Sequence, residues 1–215
     1  MDNTTYCIGY WNIRDNKKNS IDHYLSLIPK TLDMIGDNCI DFFYQDDNIL
    51  DFIIQNKKTN KFNANKIMVE DLPTYYIAEK YIGSRKDSFR DILAIWTSKL
   101  FLVEDSIKKD YFQNKYFAWA DASISKMNGK RKNWDFMNQE YDEKHIYLYD
   151  SNKRFKDENI TTSAGFIKGS KDIFLNIISL YKNKLEKCAG SECNHDEETL
   201  MYLIFKENKN LFKNI

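Results

Sequence analysis

Short β-branched and aromatic runs alternate with segments of helical periodicity along the chain, and that alternation predicts an α/β sheet with helices on both faces. "TYCIGYWNI" at 5–13, "CIDFFY" at 39–44 and "KIMVE" at 66–70 read as the first three strands. Between the first two, Ser20 offers an N-cap to a helix carrying Ile21, Tyr24, Leu25, Ile28, Leu32 and Ile35 at steps of three and four. Pro29 falls inside that pattern and predicts a kink or a split, and Gly36 ends it. The clearest helix spans 88–109, with Phe89, Ile92, Leu93, Trp96, Leu100, Val103 and Ile107 on one stripe. "HIYLYD" at 145–150 and "SAGFIKGS" at 163–170 supply further extended segments. Two helices close the chain, one carrying Ile173, Phe174, Ile177, Ile178, Tyr181 and Leu185, the other Leu200, Met201, Ile204 and Phe205.

A chain of 215 residues can bury a full core, and one domain over 1–215 is expected. Its 32 basic and 32 acidic side chains cancel, which removes the electrostatic footprint of a general nucleic-acid binder. No apolar run approaches the ~18 residues of a membrane span and the N-terminus carries no signal-peptide pattern, so a cytoplasmic protein without a membrane span is expected. Cys7 and Cys39 sit in apolar runs as buried free thiols. Cys188, Cys193 and His195 suggest a zinc site, but the spacing matches no standard pattern and a fourth ligand is not evident. The polar stretch 125–144 contains Trp134, Phe136 and Tyr141, and reads either as an insertion folded over a cleft mouth, an acceptor-side lid, or as a short surface helix.

In open α/β sheets ligands collect beyond the carboxyl ends of strands. Asp46 and Asp47 end one strand, Asp121 ends "YFAWAD" at 116–121, and Gly165 to Gly169 mark a third. Carboxylates there can hold a divalent metal that neutralises a diphosphate leaving group. The alternatives are structural: Asp46 and Asp47 as helix caps, Asp121 as an Asx-turn. His195, Asp196 and Glu197 open the last helix, where acids complement the helix dipole and where a histidine beside acids can also complete a metal site or supply a base.

Residues 93–123, "LAIWTSKLFLVEDSIKKDYFQNKYFAWADAS", resemble the HtrL/YibB-type proteins, a glycosyltransferase-like family of GT-A type fold. In that family a lysine-bearing helix leads through a turn into an aromatic strand ending in Trp-x-Asp, here Lys99 followed by Trp119-Ala120-Asp121. "YCIGYWNIRDNKKNSIDHYL", "SAGFIKGS" and "HDEETLMYLIFKENKNLF" are similar to its opening and closing elements. The resemblance implies a GT-A-like, Rossmann-like mixed central sheet and transfer of a hexose from a nucleoside diphosphate sugar, a UDP-sugar above all, to a glycan or other hydroxyl acceptor. It implies Asp121 and His195 as ligands of Mn²⁺ or Mg²⁺, Lys99 and Arg85 offsetting phosphate charge, and Asp46 or Asp47 compensating for a missing motif carboxylate. Asp196 or Glu197 would contact the sugar or act as base, and Gly165 would let backbone approach the donor. Trp119 stands where the Asp-x-Asp motif of GT-A enzymes has its first acid, which puts metal dependence in question. The competing expectation is a non-catalytic nucleotide-sugar- or glycan-binding module on the same fold.

Overall fold

The computed structural model describes residues 4–13, 19–79, 88–127, 141–149, 156–157, 160–188 and 196–215. The strands are β1 (Thr4–Tyr10), β2 (Cys39–Tyr44), β3 (Phe62–Lys66), β4 (Tyr116–Ala120), β5 (Ile146–Leu148), β6 (Lys156–Asp157), β7 (Ile160–Thr161), β8 (Phe166–Ser170) and β9 (Phe212–Asn214). The helices are α1 (Ile21–Ile35), α2 (Asp47–Asn56), α3 (Tyr75–Ala78), α4 (Ser88–Lys109), α5 (Lys171–Cys188) and α6 (Glu197–Glu207). Seven strands form one sheet in the order β3-β2-β1-β4-β8-β5-β9, while β6 and β7 pair apart from it. Strands β1 to β4 are mutually parallel, β8 runs antiparallel to β4 and β5, and β9 pairs parallel with β5. The sheet is therefore mixed, as expected.

Period-two alternation sends the side chains of β4 to two cores. Phe117 and Trp119 join α4, α5 and α6 through Leu100, Val103, Phe174, Ile177, Leu200 and Ile204. Ala118 and Ala120 face α1 and α2 through Ile28, Leu32, Ile49 and Ile53. Small residues on that side of β4 leave space for the helices, and large ones on the other fill the broader gap under three helices.

Helix α1 starts where Ser20 accepts a hydrogen bond from the His23 backbone N–H, runs as one element through Pro29, and ends at Gly36 with φ of 60°. Of the kink or split expected at Pro29, the split does not occur. Burial of Ile28, Thr31, Leu32 and Ile35 against the sheet compensates for the hydrogen bond that proline cannot donate. The third strand lies at 62–66 rather than 66–70, and the apolar residues after it leave the sheet, with Val69 buried in a 3₁₀ turn. β3 is a sheet edge, and its Asn63 and Asn65 donate to the buried Asp41 Oδ1 at 2.7 and 2.6 Å. A half-polar edge strand of this kind carries little of the apolar signature by which strands are recognised.

β9, unforeseen because it spans three residues, closes the other edge. It is held by Ile215 N–H donating to the Leu148 carbonyl at 3.1 Å and by Lys213 on Asp142 at 2.8 Å. Asp142 also accepts from the Lys144 N–H at 2.9 Å and pairs with His145 Nδ1 at 2.6 Å. Of the expected insertion at 125–144, residues 128–140 lie outside the described residues, while Tyr141 is buried edge-on to Tyr147. Cys7 and Cys39 are free and buried, as expected. Cys193 and His195 of the suggested zinc site, and the side chain of Cys188, lie outside the described residues. No helix among the described residues is long and apolar enough to cross a membrane.

Candidate functional site

The carboxyl ends of β1 to β4 share one edge of the sheet because these strands are parallel. At β4 the direction changes: antiparallel β8 lies alongside, so the start of β8 comes to the end of β4, with Ala120 opposite Phe166. The chain turns sharply there, with Asp121 N–H donating to the Gly165 carbonyl at 2.8 Å and Ile124 N–H to the Asp121 carbonyl at 2.8 Å. This is a backbone turn rather than the Asx-turn expected of Asp121, because its carboxylate accepts from the Trp119 indole and from no backbone N–H among the described residues.

That carboxylate is held on one side only. The Trp119 indole N–H donates to Asp121 Oδ1 at 2.8 Å, and the Lys99 ammonium lies 2.9 Å from the same oxygen. Oδ2 has no hydrogen-bond partner among the described residues. It faces Gly165, where an added Cβ would stand 3.5 Å from it. The Asp121 side chain keeps 30% of its exposure against 5% for Lys99, so Oδ2 is the oxygen offered outward.

Lys99 rises from the core-facing stripe of α4 and spends its three protons on Asp121, on Glu197 Oε1 at 2.8 Å and on the Ala164 carbonyl at 3.1 Å. Burial alone would lower its pKa, but the two carboxylates outweigh that and hold it well above the ordinary lysine value. It lies 5.9 Å above the Trp119 ring, a further favourable contact for a buried cation. Lys99 was expected on a donor phosphate; the structure closes it beneath the site, with all its donors engaged.

Helix α6 delivers the acids. Asp196 is its N-cap, accepting from the Thr199 N–H at 2.9 Å and the Thr199 hydroxyl at 2.7 Å. Glu197 is buried, and burial pushes its carboxyl up to about 7 despite the opposing pull of Lys99. Glu198 is half-buried, and burial raises it too, with Asp196 and Asp121 adding to the shift while Lys99 and the Ala164 N–H oppose it. Glu198 was not singled out from the sequence. The run "HDEE" carried the signal, but which of its acids faces outward depends on the helix phase set by the Asp196 cap.

Asp46 and Asp47 share the carboxyl edge but not this cluster. Asp46 caps α2 through the Asn48 backbone N–H at 2.9 Å, and Asp47 pairs with Lys66 at 2.6 Å. β1 lies between β2 and β4, which separates the two strand ends by about 10 Å. Arg85 and His195 lie outside the described residues. A groove of about 410 Å³ runs between β3 and α4 past Phe43, Lys66, Pro73 and Phe101, and none of Lys99, Asp121 and Glu197 lines it.

Among the described residues no group of three or more His, Cys, Asp or Glu side chains could hold a metal by itself. Divalent ions of the Mg²⁺ type are commonly held by one or two carboxylates together with substrate phosphates. The single open oxygen of Asp121 fits an ion that arrives with a diphosphate, and does not fit a protein-only cage.

No protein-family model matches the sequence, and neither does any curated protein. Among solved structures, the chain is similar to mouse xyloside xylosyltransferase 1 in its apo form, with a TM-score of 0.50 and 10% identity over 98% of this chain and 84% of that one. The fold is GT-A-like. The glycosyltransferase GlyE of Streptococcus pneumoniae TIGR4 also matches, with a TM-score of 0.48 and 11% identity over 100% of this chain, which spans 46% of that protein. The likeness is one of fold, and identities this low do not carry the narrower HtrL/YibB resemblance. In the GT-A-like frame Asp121 stands at the end of a central parallel strand, beside the change of strand direction where ligands collect in open sheets.

Proposed function

We propose that this protein is a glycosyltransferase that moves a hexose from a nucleoside diphosphate sugar, a UDP-sugar in the leading case, to a glycan or other hydroxyl acceptor. The observation that supports this reading is Asp121: its Oδ1 is tied down by Lys99 and Trp119, and its Oδ2 is open beside Gly165. Asp121 Oδ2 would hold Mn²⁺ or Mg²⁺ jointly with the donor diphosphate; such an ion supplies charge neutralisation as the diphosphate departs. Gly165 keeps the space in front of Oδ2 clear, and Lys99 acts through Asp121 and Glu197 rather than on phosphate. The acids of the first turn of α6 supply the proton chemistry. Glu198 is half-buried and Asp196 is buried as the helix cap, and one of the two receives the acceptor hydroxyl proton as its oxygen bonds to the anomeric carbon. The bond from that carbon to the diphosphate breaks, and its electron pair leaves with the nucleotide. Glu197, closed in with Lys99, keeps the positive charge beneath the site balanced.

Thermal-shift and calorimetric titrations with UDP and UDP-sugars, with and without Mn²⁺, followed by a donor-hydrolysis assay, test the reading. Binding that tightens with Mn²⁺, together with donor turnover, is the expected result. Binding without turnover across donors would move the protein to the class of sugar-nucleotide-binding modules, and no binding of any nucleotide would remove both readings.

A further inference from the structure

We infer that Trp119 is a positioning residue whose indole N–H, together with the Lys99 ammonium, orients the Asp121 carboxylate so that only Oδ2 is offered to a divalent cation, which therefore binds jointly with a nucleoside diphosphate and not alone. The inference rests on the reading of Asp121 as the cation ligand given above.

Residues 119 and 121 are two apart at the end of a strand, so both side chains leave the sheet on the side of α4. That is why one lysine from α4 reaches the Asp121 carboxylate while standing over the Trp119 ring. The indole has no freedom to point elsewhere. Trp119 is 1% exposed, and a Cβ at Gly9 would come within 3.0 Å of its ring and 2.4 Å of the Trp11 ring. The neighbouring Trp11 is itself anchored by its Nε1–H donating to the Ile67 carbonyl at 3.0 Å. Gly9 thus makes the room in which the two tryptophans pack, and the packing aims the Trp119 N–H at Asp121 Oδ1.

A carboxylate at position 119 would be a second ligand and a second negative charge. Tryptophan there is a donor instead, and it occupies an oxygen that a cation would otherwise use. With Oδ1 engaged by two donors, Asp121 can contribute one oxygen, and the remaining positions around an ion must come from phosphate and water. Hydrogen-bonding partners behind a ligating group are worth roughly ten- to hundredfold in metal affinity, because they spare the ligand the cost of being oriented on binding.

Electron paramagnetic resonance of free Mn²⁺ and calorimetry with UDP, each ligand alone and then together, test this on wild type, Trp119→Phe and Asp121→Asn. Wild type should take up little Mn²⁺ alone, and should bind UDP more tightly when Mn²⁺ is present. In Trp119→Phe the Mn²⁺-dependent gain in UDP affinity, measured against that variant's own affinity for UDP alone, should fall roughly tenfold or more. In Asp121→Asn the gain should vanish. Site-specific 3-benzothienylalanine at position 119, which replaces the N–H by sulfur at nearly the same shape, should reproduce the loss seen with Trp119→Phe and separates the hydrogen bond from packing. A full gain retained in either Trp119 variant, or micromolar Mn²⁺ uptake by wild type without nucleotide, overturns the inference and leaves the reading of the site standing. No UDP binding by wild type, with Mn²⁺ or without, overturns both.

Discussion

The Lys99 ammonium lies 2.9 Å from Asp121 Oδ1 and 2.8 Å from Glu197 Oε1, so one buried cation ties the end of β4 to the first turn of α6. Removing it leaves the buried Glu197 carboxylate and Asp121 Oδ1 without their shared cation. Lys99→Met should cost about 3–5 kcal/mol in urea denaturation, the usual penalty for breaking a buried pair by deleting one partner. Lys99→Met combined with Glu197→Leu should recover part of that loss, because the stranded acid is gone. Equal stability of the single and double variants would show that the two groups are not coupled.

Gly165 sets the clearance in front of Asp121. A methyl there would stand 3.5 Å from Oδ2 and 3.2 Å from Ile124 Cδ1, and only the second neighbour can swing aside. Gly165→Ala should therefore fold, with a melting temperature close to that of wild type. The methyl makes ordinary contact with Oδ2 and takes up the space in front of it, so the change should appear as weaker UDP–Mn²⁺ binding in calorimetry. Undiminished affinity would place the donor elsewhere.

Asp46 caps a helix on the same edge of the sheet. Asp46→Ala should destabilise the protein by about 1 kcal/mol, the ordinary value of an N-cap. The Mn²⁺-dependent gain in UDP affinity should be unaffected. A lost gain would bring Asp46 to the donor after all.

Asp142 anchors the C-terminal strand, and its pH dependence is calculable in sign. Burial pushes its carboxyl up, but hydrogen bonds from Lys213, His145 and the Lys144 backbone outweigh that and hold it well below the ordinary 3.8. An acid depressed in the folded state stabilises fully above its unfolded value, and loses that contribution as pH falls below it toward the folded one. The stability gap between wild type and Asp142→Asn should be constant near neutrality and shrink below about pH 4. A gap that persists undiminished into strong acid would show that the anchoring is not ionic.

Much of this architecture is legible in the residues. The stripes of α1, α4, α5 and α6, the caps Ser20 and Asp46, and the strand that ends at Asp121 all follow from periodicity and turn chemistry. What the residues leave illegible shares a cause: its meaning depends on a partner elsewhere in the fold. The asparagines of β3 look like loop residues until Asp41 is found beneath them. Lys99 reads as a partner for phosphate until Asp121, Ala164 and Glu197 surround it. Trp119 looks like the loss of an acid until its N–H is seen on the acid that remains.

The three acceptors around Lys99 also set when the site can exist during folding. They lie just after β4, on the segment before β8 and on α6, with the last two 65 and 98 residues away along the chain. Contacts of such separation close late, after local helices and neighbouring strands have formed. A nascent chain that has not yet released α6 would carry Lys99 and Asp121 without Glu197, so the assembled cluster reports a fold complete through α6 rather than its N-terminal half alone.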